Sequence, residues 1–149
     1  FEAVVEPAPE AIELDVVFED SDCLVINKPA GLVVHPGAGQ ARGTLQNALL
    51  HLDPALDRLP RAGLVHRLDK LTSGLLVVAR NPASYHALSS AMQAREVHRS
   101  YQALVWGRVI AGATIEAPLG RHPTDRTRFA IRRAGRQPVT HSRVTARWP

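Results

Sequence analysis

The chain is divided into short apolar runs of strand length, separated from one another by Gly, Pro and clusters of polar residues. The runs at residues 16–18, 23–26 and 75–80 are rich in Val, Leu and Ile, which suit pleated, half-buried strands. Polar residues 19–22 lie between the first two runs and are typical of a hairpin turn. The 149 residues suffice for one domain with a real core, and no apolar stretch is long enough to span a membrane.

Two segments with helical spacing interrupt the strands. In "LQNALLHL" leucines recur at helical spacing behind Thr44, a capping residue type, and Pro54 ends the helix. A second helix is predicted over 83–94, a polar loop over 53–63, and a strand over 97–109. Further strand candidates lie at residues 113–120, 126–132 and 138–148. About seven strands and two helices in mixed order predict an α+β fold around an antiparallel or mixed sheet.

Charge is distributed unevenly along the chain. Residues 1–89 carry 7 Lys and Arg against 11 Asp and Glu, whereas residues 90–149 carry 11 against 3. Six arginines fall between residues 121 and 136, a density typical of a nucleic-acid surface, although a solvated basic face is an alternative. The acidic, Pro-containing residues 1–13 are predicted to be a lead-in segment or linker.

Residues 62–80, "AGLVHRLDKLTSGLLVVAR", place a polar cluster between two apolar runs. A turn needs only Gly, Pro, Asn or Asp, so this cluster exceeds what a turn requires. Asp69 can be structural, capping backbone N–H groups or pairing with Arg67. It can also serve as a nucleophile or base if Arg67, Lys70 or Arg99 keeps it ionised in a cleft. The residues alone leave both interpretations open.

Signatures of several other chemistries are missing from the sequence. It contains no phosphate-binding G-x-x-x-x-G-K-[ST], no G-x-G-x-x-G after a strand and no G-x-S-x-G. The seven histidines lack metal-ligand spacing, so no metal site is predicted. The single cysteine excludes a disulfide within the chain and is compatible with a reducing, cytoplasmic setting.

The stretch "HRLDKLTSG" resembles the central signature of the RNA pseudouridine synthases, in the branch that modifies ribosomal RNA and some tRNA uridines. Other stretches agree in the same order. "DVVFEDSDCLVINKPAGLVVHPG" resembles the opening strands and Asn-Lys-Pro loop of the family, and "REVHRSYQALVWG" its later basic-x-Tyr motif. "PLGRHPTDRTRFAI" and "GRQPVTHSRV" resemble the segment that follows. The resemblance covers residues 14–148 and implies the pseudouridine synthase catalytic fold.

The resemblance implies a role for each matched position. Asp69 matches the catalytic aspartate, which starts cleavage of the uridine N-glycosidic bond by attack at C1′ or by removal of the C2′ proton. The uracil then rotates and rejoins through C5, with no cofactor or metal. Tyr101 matches a tyrosine that stacks on the target base and helps remove the C5 proton. Arg67 matches an arginine that enters the RNA stack when the target uridine flips out.

Two further groups of residues follow from the same match. Lys28 is placed with the RNA-binding residues as a phosphate contact, with shaping of the Asn-Lys-Pro loop as its alternative. The arginines expected to contact RNA are Arg99, Arg121, Arg126 and Arg128. The residues expected to build the loop around the aspartate are His66, Leu68, Thr72, Ser73 and Gly74.

The chain departs from the family pattern at its end. The family carries a later Gly-Arg-Thr-His-Gln-Ile-Arg motif, whose arginine pairs with the catalytic aspartate, and nothing here matches it. Residues 14–149 are therefore expected to be the N-terminal portion of a catalytic domain, and inactive alone. The expected partner is large-subunit ribosomal RNA, and the expected state is a monomer. Two alternatives are a non-catalytic RNA-binding or ribosome-assembly factor and a globular domain without an RNA role.

Overall fold

The structure of the protein, a computed structural model, describes residues 7–37, 39–125, 128–132 and 138–147. The chain divides into two compact units, Phe1–Ser100 and Tyr101–Pro149. Each helix within the described ranges is too short or too polar to cross a bilayer.

The first unit is built on a three-stranded antiparallel sheet with its second strand in the centre. The strands are β1 (Val16–Glu19), β2 (Cys23–Lys28) and β3 (Gly74–Ala79). Leu24 is opposite Val78 and Ile26 is opposite Leu76, and all four side chains are buried. Because side chains alternate along a strand, these two pairs lie on one face, which forms part of the core. The predicted hairpin and the predicted strand over 75–80 are confirmed.

Helix α1 (Leu45–Leu52) contributes Leu45 and Leu49 to the same buried cluster. Thr44 caps it as predicted, because its hydroxyl accepts the Asn47 N–H while the Asn47 side chain accepts the Thr44 N–H. The Asn47 side chain also donates to the carbonyl of Ala8 at 2.7 Å. The Glu10 carboxylate accepts from the Gly43 N–H, so the described part of the lead-in segment is attached to the start of α1.

Residues 53–63 form two 3-10 turns, Pro54–Arg58 and Pro60–Gly63, and the predicted polar loop is therefore wrong. Leu56, Leu59 and Ala62 are buried in the core cluster. Leu56 lies in the first turn, Leu59 is the extended residue between the two turns, and Ala62 lies in the second turn with a positive φ of 53°, so the three side chains reach the core from an irregular backbone. Helix α2 (Pro82–Gln93) follows β3, with Asn81 as its N-cap, and confirms the second predicted helix.

The second unit contains two antiparallel strand pairs. Strand β4 (Ala113–Glu116) pairs with β7 (Val139–Ser142), and β5 (Leu119–Arg121) pairs with β6 (Phe129–Ile131). The predicted strand over 97–109 is wrong, because these residues have no strand conformation. Alternating apolar residues form a strand only when another backbone supplies hydrogen bonds. The mixture of helices and antiparallel strands confirms the α+β class.

Candidate active site

Leu68 is the inward-facing anchor of the loop that precedes β3. Its side chain is buried in the core cluster, whereas its neighbours Arg67 and Asp69 are exposed. The Thr72 N–H donates to the Asp69 carbonyl at 3.0 Å, which closes a tight turn after the aspartate. Gly74 begins β3 with φ +119°, a backbone conformation that favours glycine. The sequence therefore directs the carboxylate outward by burying the leucine beside it.

The Asp69 carboxylate accepts no hydrogen bond and forms no ion pair with any residue in the described ranges. The structural alternatives considered from sequence, a backbone cap or a pair with Arg67, are thus not realised within those ranges. Thr72 contributes through its backbone, and the exposed Ser73 follows it. The carboxylate is free to meet a ligand.

The Lys28 ammonium is the main connection between this loop and the loop after β2. Its side chain is 0% exposed, and Nζ donates to three carbonyls: Pro29 at 2.8 Å, Leu32 at 2.9 Å and Lys70 at 3.1 Å. The Gly31 N–H donates to the same Lys70 carbonyl at 2.7 Å. These contacts fix the residue directly after Asp69 to the end of β2.

The geometry of Lys28 contradicts the predicted phosphate contact. An ammonium has three N–H donors, and all three are occupied by carbonyls here. Burial lowers the pKa of Lys28, as expected when a charged group leaves water. Lys28 therefore shapes the loop, which was the alternative interpretation of this residue.

His66 attaches the start of the loop to β3. Its Nε2 accepts the backbone N–H of Val77 at 3.0 Å, and the ring is partly buried. Leu64 forms an isolated antiparallel bridge with Val78, so residues 64–66 lie along β3. Burial lowers the pKa of His66, and the positive charge of Arg99 lowers it further.

The predicted RNA-contacting arginines differ in their surroundings. Arg67 and Arg99 are exposed residues of the first unit. The positive charge of Arg67 contributes to a lowered pKa of His35, and that of Arg99 to a lowered pKa of His66. Burial lowers the pKa of His35, and the positive charges of Arg61 and Arg67 add to the effect. Within the loop itself, the exposed Arg67 and Lys70 place positive charge before and after Asp69 in sequence.

In the second unit, Tyr101 is 60% exposed. The Arg121 guanidinium lies 4.4 Å from the ring centroid of Phe129, its cross-strand partner, in a cation–π contact. Arg128 lies 4.0 Å from the Asp125 carboxylate, and Arg126 lies outside the described residues. Asp69 and Tyr101 fall in different units.

Three contacts described above could not be predicted from the sequence: those of the Gly31 N–H with Lys70, of the Val77 N–H with His66 and of the Phe129 ring with Arg121. Gly31 and Val77 act through backbone N–H groups, which any residue type except proline supplies, so no side-chain pattern marks them. Phe129 belongs to a predicted strand, and only the register of β5 with β6 pairs it with Arg121. These contacts depend on which segments meet in the fold.

Comparison with known proteins shows the family of this chain. The model of the RNA pseudouridylate synthase family matches residues 22–147, and the chain belongs to this family. A solved structure of human RNA Pseudouridylate Synthase Domain Containing 1 is 27% identical, with a TM-score of 0.68, and the match covers 91% of this chain and 53% of that chain. A solved structure of human RNA Pseudouridylate Synthase Domain Containing 4 is 23% identical, with a TM-score of 0.55. The match covers 85% of this chain and 51% of that chain, and it supports the fold alone.

Among curated relatives, the similarity extends to proteins named ribosomal large subunit pseudouridine synthase D. The one from Xanthomonas campestris pv. campestris is 54% identical over 147 residues, which is 99% of this chain and 44% of that protein. The one from Escherichia coli K12 is 50% identical over 136 residues, which is 91% of this chain and 42% of that protein. The resemblance to the family is thus confirmed, and the chain spans less than half the length of these relatives.

Proposed function

We propose that the protein containing this chain isomerises uridines to pseudouridine in large-subunit ribosomal RNA, with Asp69 initiating the reaction. The exposed Asp69 carboxylate carries the proposal. It has no partner within the described residues and sits on a loop held by the buried Leu68, by the hydrogen bond of His66 with Val77 and by that of Lys28 with the Lys70 carbonyl. A reactive group needs this combination, because accuracy of position contributes to rate only when the group stays accessible. Family membership and the names of the relatives add support.

The reaction rearranges bonds without net gain or loss of atoms. The bond between C1′ and uracil N1 breaks, either through attack of the Asp69 carboxylate on C1′ or after removal of the C2′ proton. The uracil turns, and a bond forms between C1′ and C5. In the first route this step breaks the bond between the Asp69 carboxylate and C1′ and frees the aspartate, and in the second route C2′ regains its proton. The C5 proton leaves to solvent, and N1 gains a proton. No electrons are transferred to an external acceptor, so this chemistry requires no redox cofactor.

The remaining site residues have roles that bring RNA to the carboxylate. Arg67, exposed and two residues from Asp69, enters the RNA stack in place of the flipped uridine. Tyr101 stacks on the target base and assists removal of the C5 proton. Arg99, Arg121, Arg126 and Arg128 contact phosphates, in keeping with the basic second half of the chain.

The experiment that tests this proposal measures tritium release from uridine-5-labelled, unmodified large-subunit RNA by the full-length protein. Asp69→Asn keeps the shape of the side chain and removes its charge. We expect the rate of release to fall by at least about a thousandfold, as for other essential catalytic groups. RNA affinity should change by less than about threefold, because the substitution removes a reacting group and leaves the basic residues in place.

Asp57→Asn is the matched control, since Asp57 is another exposed carboxylate of the first unit without a partner in the described ranges. Its activity should stay within about twofold of the unaltered protein, as for most surface substitutions. Tight RNA binding without tritium release by the unaltered protein would contradict the proposal and favour an RNA-binding or assembly factor. Equal release by both Asp69→Asn and Asp57→Asn would remove Asp69 from the mechanism.

A further inference from the structure

The edge of β3 is hydrogen-bonded by a side chain where a neighbouring strand would normally supply a carbonyl. Leu64 forms a backbone bridge with Val78, but two residues later the chain contacts β3 through the His66 imidazole. The Val77 N–H donates to His66 Nε2 at 3.0 Å. The imidazole therefore carries the last attachment to β3 before the chain reaches Asp69.

This contact fixes the protonation state of the ring. Nε2 accepts a hydrogen bond only when it carries no proton, so the neutral ring has its proton on Nδ1. Within the described residues, Nδ1 is buried and has no hydrogen-bond partner. A second proton would add to Nε2, where the new N–H would face the Val77 N–H, and the buried Nδ1–H would still have no partner within the described residues. The charged ring cannot make the contact that the neutral ring makes.

We infer that His66 is a positioning residue for the proposed reaction: its neutral imidazole holds the Asp69 loop against β3 through Val77. The pH range and activity described below depend on the proposed function, whereas the tautomer and the hydrogen bond do not. His66 touches no reacting atom in this account and acts only by fixing where the aspartate lies.

The charged groups around the ring favour its neutral form. Strand β3, "GLLVVA", has no titratable side chain. Arg99, at the end of the first unit, carries the positive charge that acts on the ring and opposes its protonation, in addition to the effect of burial. On the segment of the histidine itself, Arg67 and Asp69 are exposed and of opposite sign. The attachment is therefore intact at neutral pH and breaks on acidification.

Two substitutions separate the hydrogen bond from the titration. His66→Gln supplies an amide oxygen that can accept the Val77 N–H and does not titrate. His66→Leu fills similar space without an acceptor. His86→Gln is the control, because His86 is an exposed histidine of α2, outside the loop. Each variant is made in the full-length protein, and tritium release from unmodified RNA is followed from pH 5 to 8.

We expect kcat of His66→Leu to fall at least about tenfold with a change in KM below about threefold, since displacement of a reacting group lowers the rate more than binding. His66→Gln should retain most of the activity at pH 7.5. As the pH is lowered towards 5, its rate of tritium release should fall less than that of the unaltered protein, because glutamine does not titrate. His86→Gln should reproduce the unaltered profile. An unchanged acid decline in His66→Gln, or full activity in His66→Leu, would overturn the inference.

Nuclear magnetic resonance of the unaltered protein, labelled with ¹⁵N-histidine, tests the same inference without an activity readout. The expected His66 signals are those of an Nδ1–H tautomer with a pKa below the ordinary value of about 6.5. Amide exchange at Val77 should accelerate in His66→Leu and not in His66→Gln. An Nε2–H tautomer, or unchanged exchange in His66→Leu, would overturn the inference. If tritium release failed in every protein while these signals appeared as expected, the proposed function would fail and the attachment would stand.

Discussion

Replacement of Lys28 by methionine tests whether this buried ammonium is a structural group or a phosphate contact. Methionine is similar in length and flexibility but has no hydrogen-bond donor. Lys28→Met therefore removes the three hydrogen bonds to the carbonyls of Pro29, Leu32 and Lys70. It keeps most of the volume in the core and so avoids a large cavity.

The expected loss can be worked from these contacts. Hydrogen bonds to charged groups contribute about 1.5–3 kcal/mol each, but methionine avoids the cost of burying the charge. The Lys70 carbonyl keeps the Gly31 N–H at 2.7 Å, whereas the other two carbonyls lose the donor that Lys28 supplies. An unsatisfied carbonyl costs about 1–3 kcal/mol, less where water can reach it. We expect the free energy of unfolding to fall by about 2–4 kcal/mol.

Urea denaturation of the full-length protein measures this loss, with Lys70→Met as the matched control. The Lys70 side chain is exposed, so its replacement should change the free energy of unfolding by less than about 0.5 kcal/mol. RNA affinity is measured in parallel as a function of salt. A phosphate contact by Lys28 would lower the salt slope by about 1, whereas a structural lysine leaves it unchanged. Unchanged stability of Lys28→Met with a reduced slope would refute the structural role.

Two further predictions concern the stability of the first unit. The pKa values of His35 and His66 are lowered on folding, so the unfolded chain takes up these protons first. The free energy of unfolding should be highest above about pH 6.5 and fall on acidification, because each tenfold difference in proton affinity between the unfolded and folded chains is worth about 1.4 kcal/mol. Urea denaturation at pH 7.5 and 5.5 should show a smaller loss in a His35→Gln/His66→Gln double variant, and an equal loss would contradict this assignment. Gly63 has φ +79°, and a Cβ there would overlap the Ala79 carbonyl oxygen, so Gly63→Ala should destabilise by more than about 2 kcal/mol. Gly37→Ala, with open space around it and no positive φ, should change stability by less than about 0.5 kcal/mol, and equal effects of the two substitutions would argue against the close approach.

The elements that could be predicted from sequence are those encoded by neighbouring residues. Thr44 with Asn47 forms a local cap, and the leucines behind it repeat at helical spacing, so α1 was predictable without knowledge of the fold. The β1–β2 hairpin follows from two apolar runs around a polar turn. The exposure of Asp69 beside the buried Leu68 is also local, although its chemical role rested on the family resemblance.

The elements that could not be predicted depend on contacts between distant residues. Residues 97–109 alternate well, but a strand needs a partner backbone, which sequence alternation does not identify. Lys28 lies in a motif that suits either a phosphate contact or a loop, and only the approach of Lys70, 42 positions away, decides between them. The bond between His66 and Val77 likewise depends on how the loop meets β3.

The central claim is that the loop carrying Asp69 makes pseudouridine in large-subunit ribosomal RNA. Its most direct test maps pseudouridine in that RNA from cells that lack the gene, complemented with the full-length protein or with Asp69→Asn at equal protein level. We expect the unaltered protein to restore specific pseudouridines and Asp69→Asn to restore none, although it still binds the RNA. Restoration of the same pseudouridines by Asp69→Asn would contradict the account.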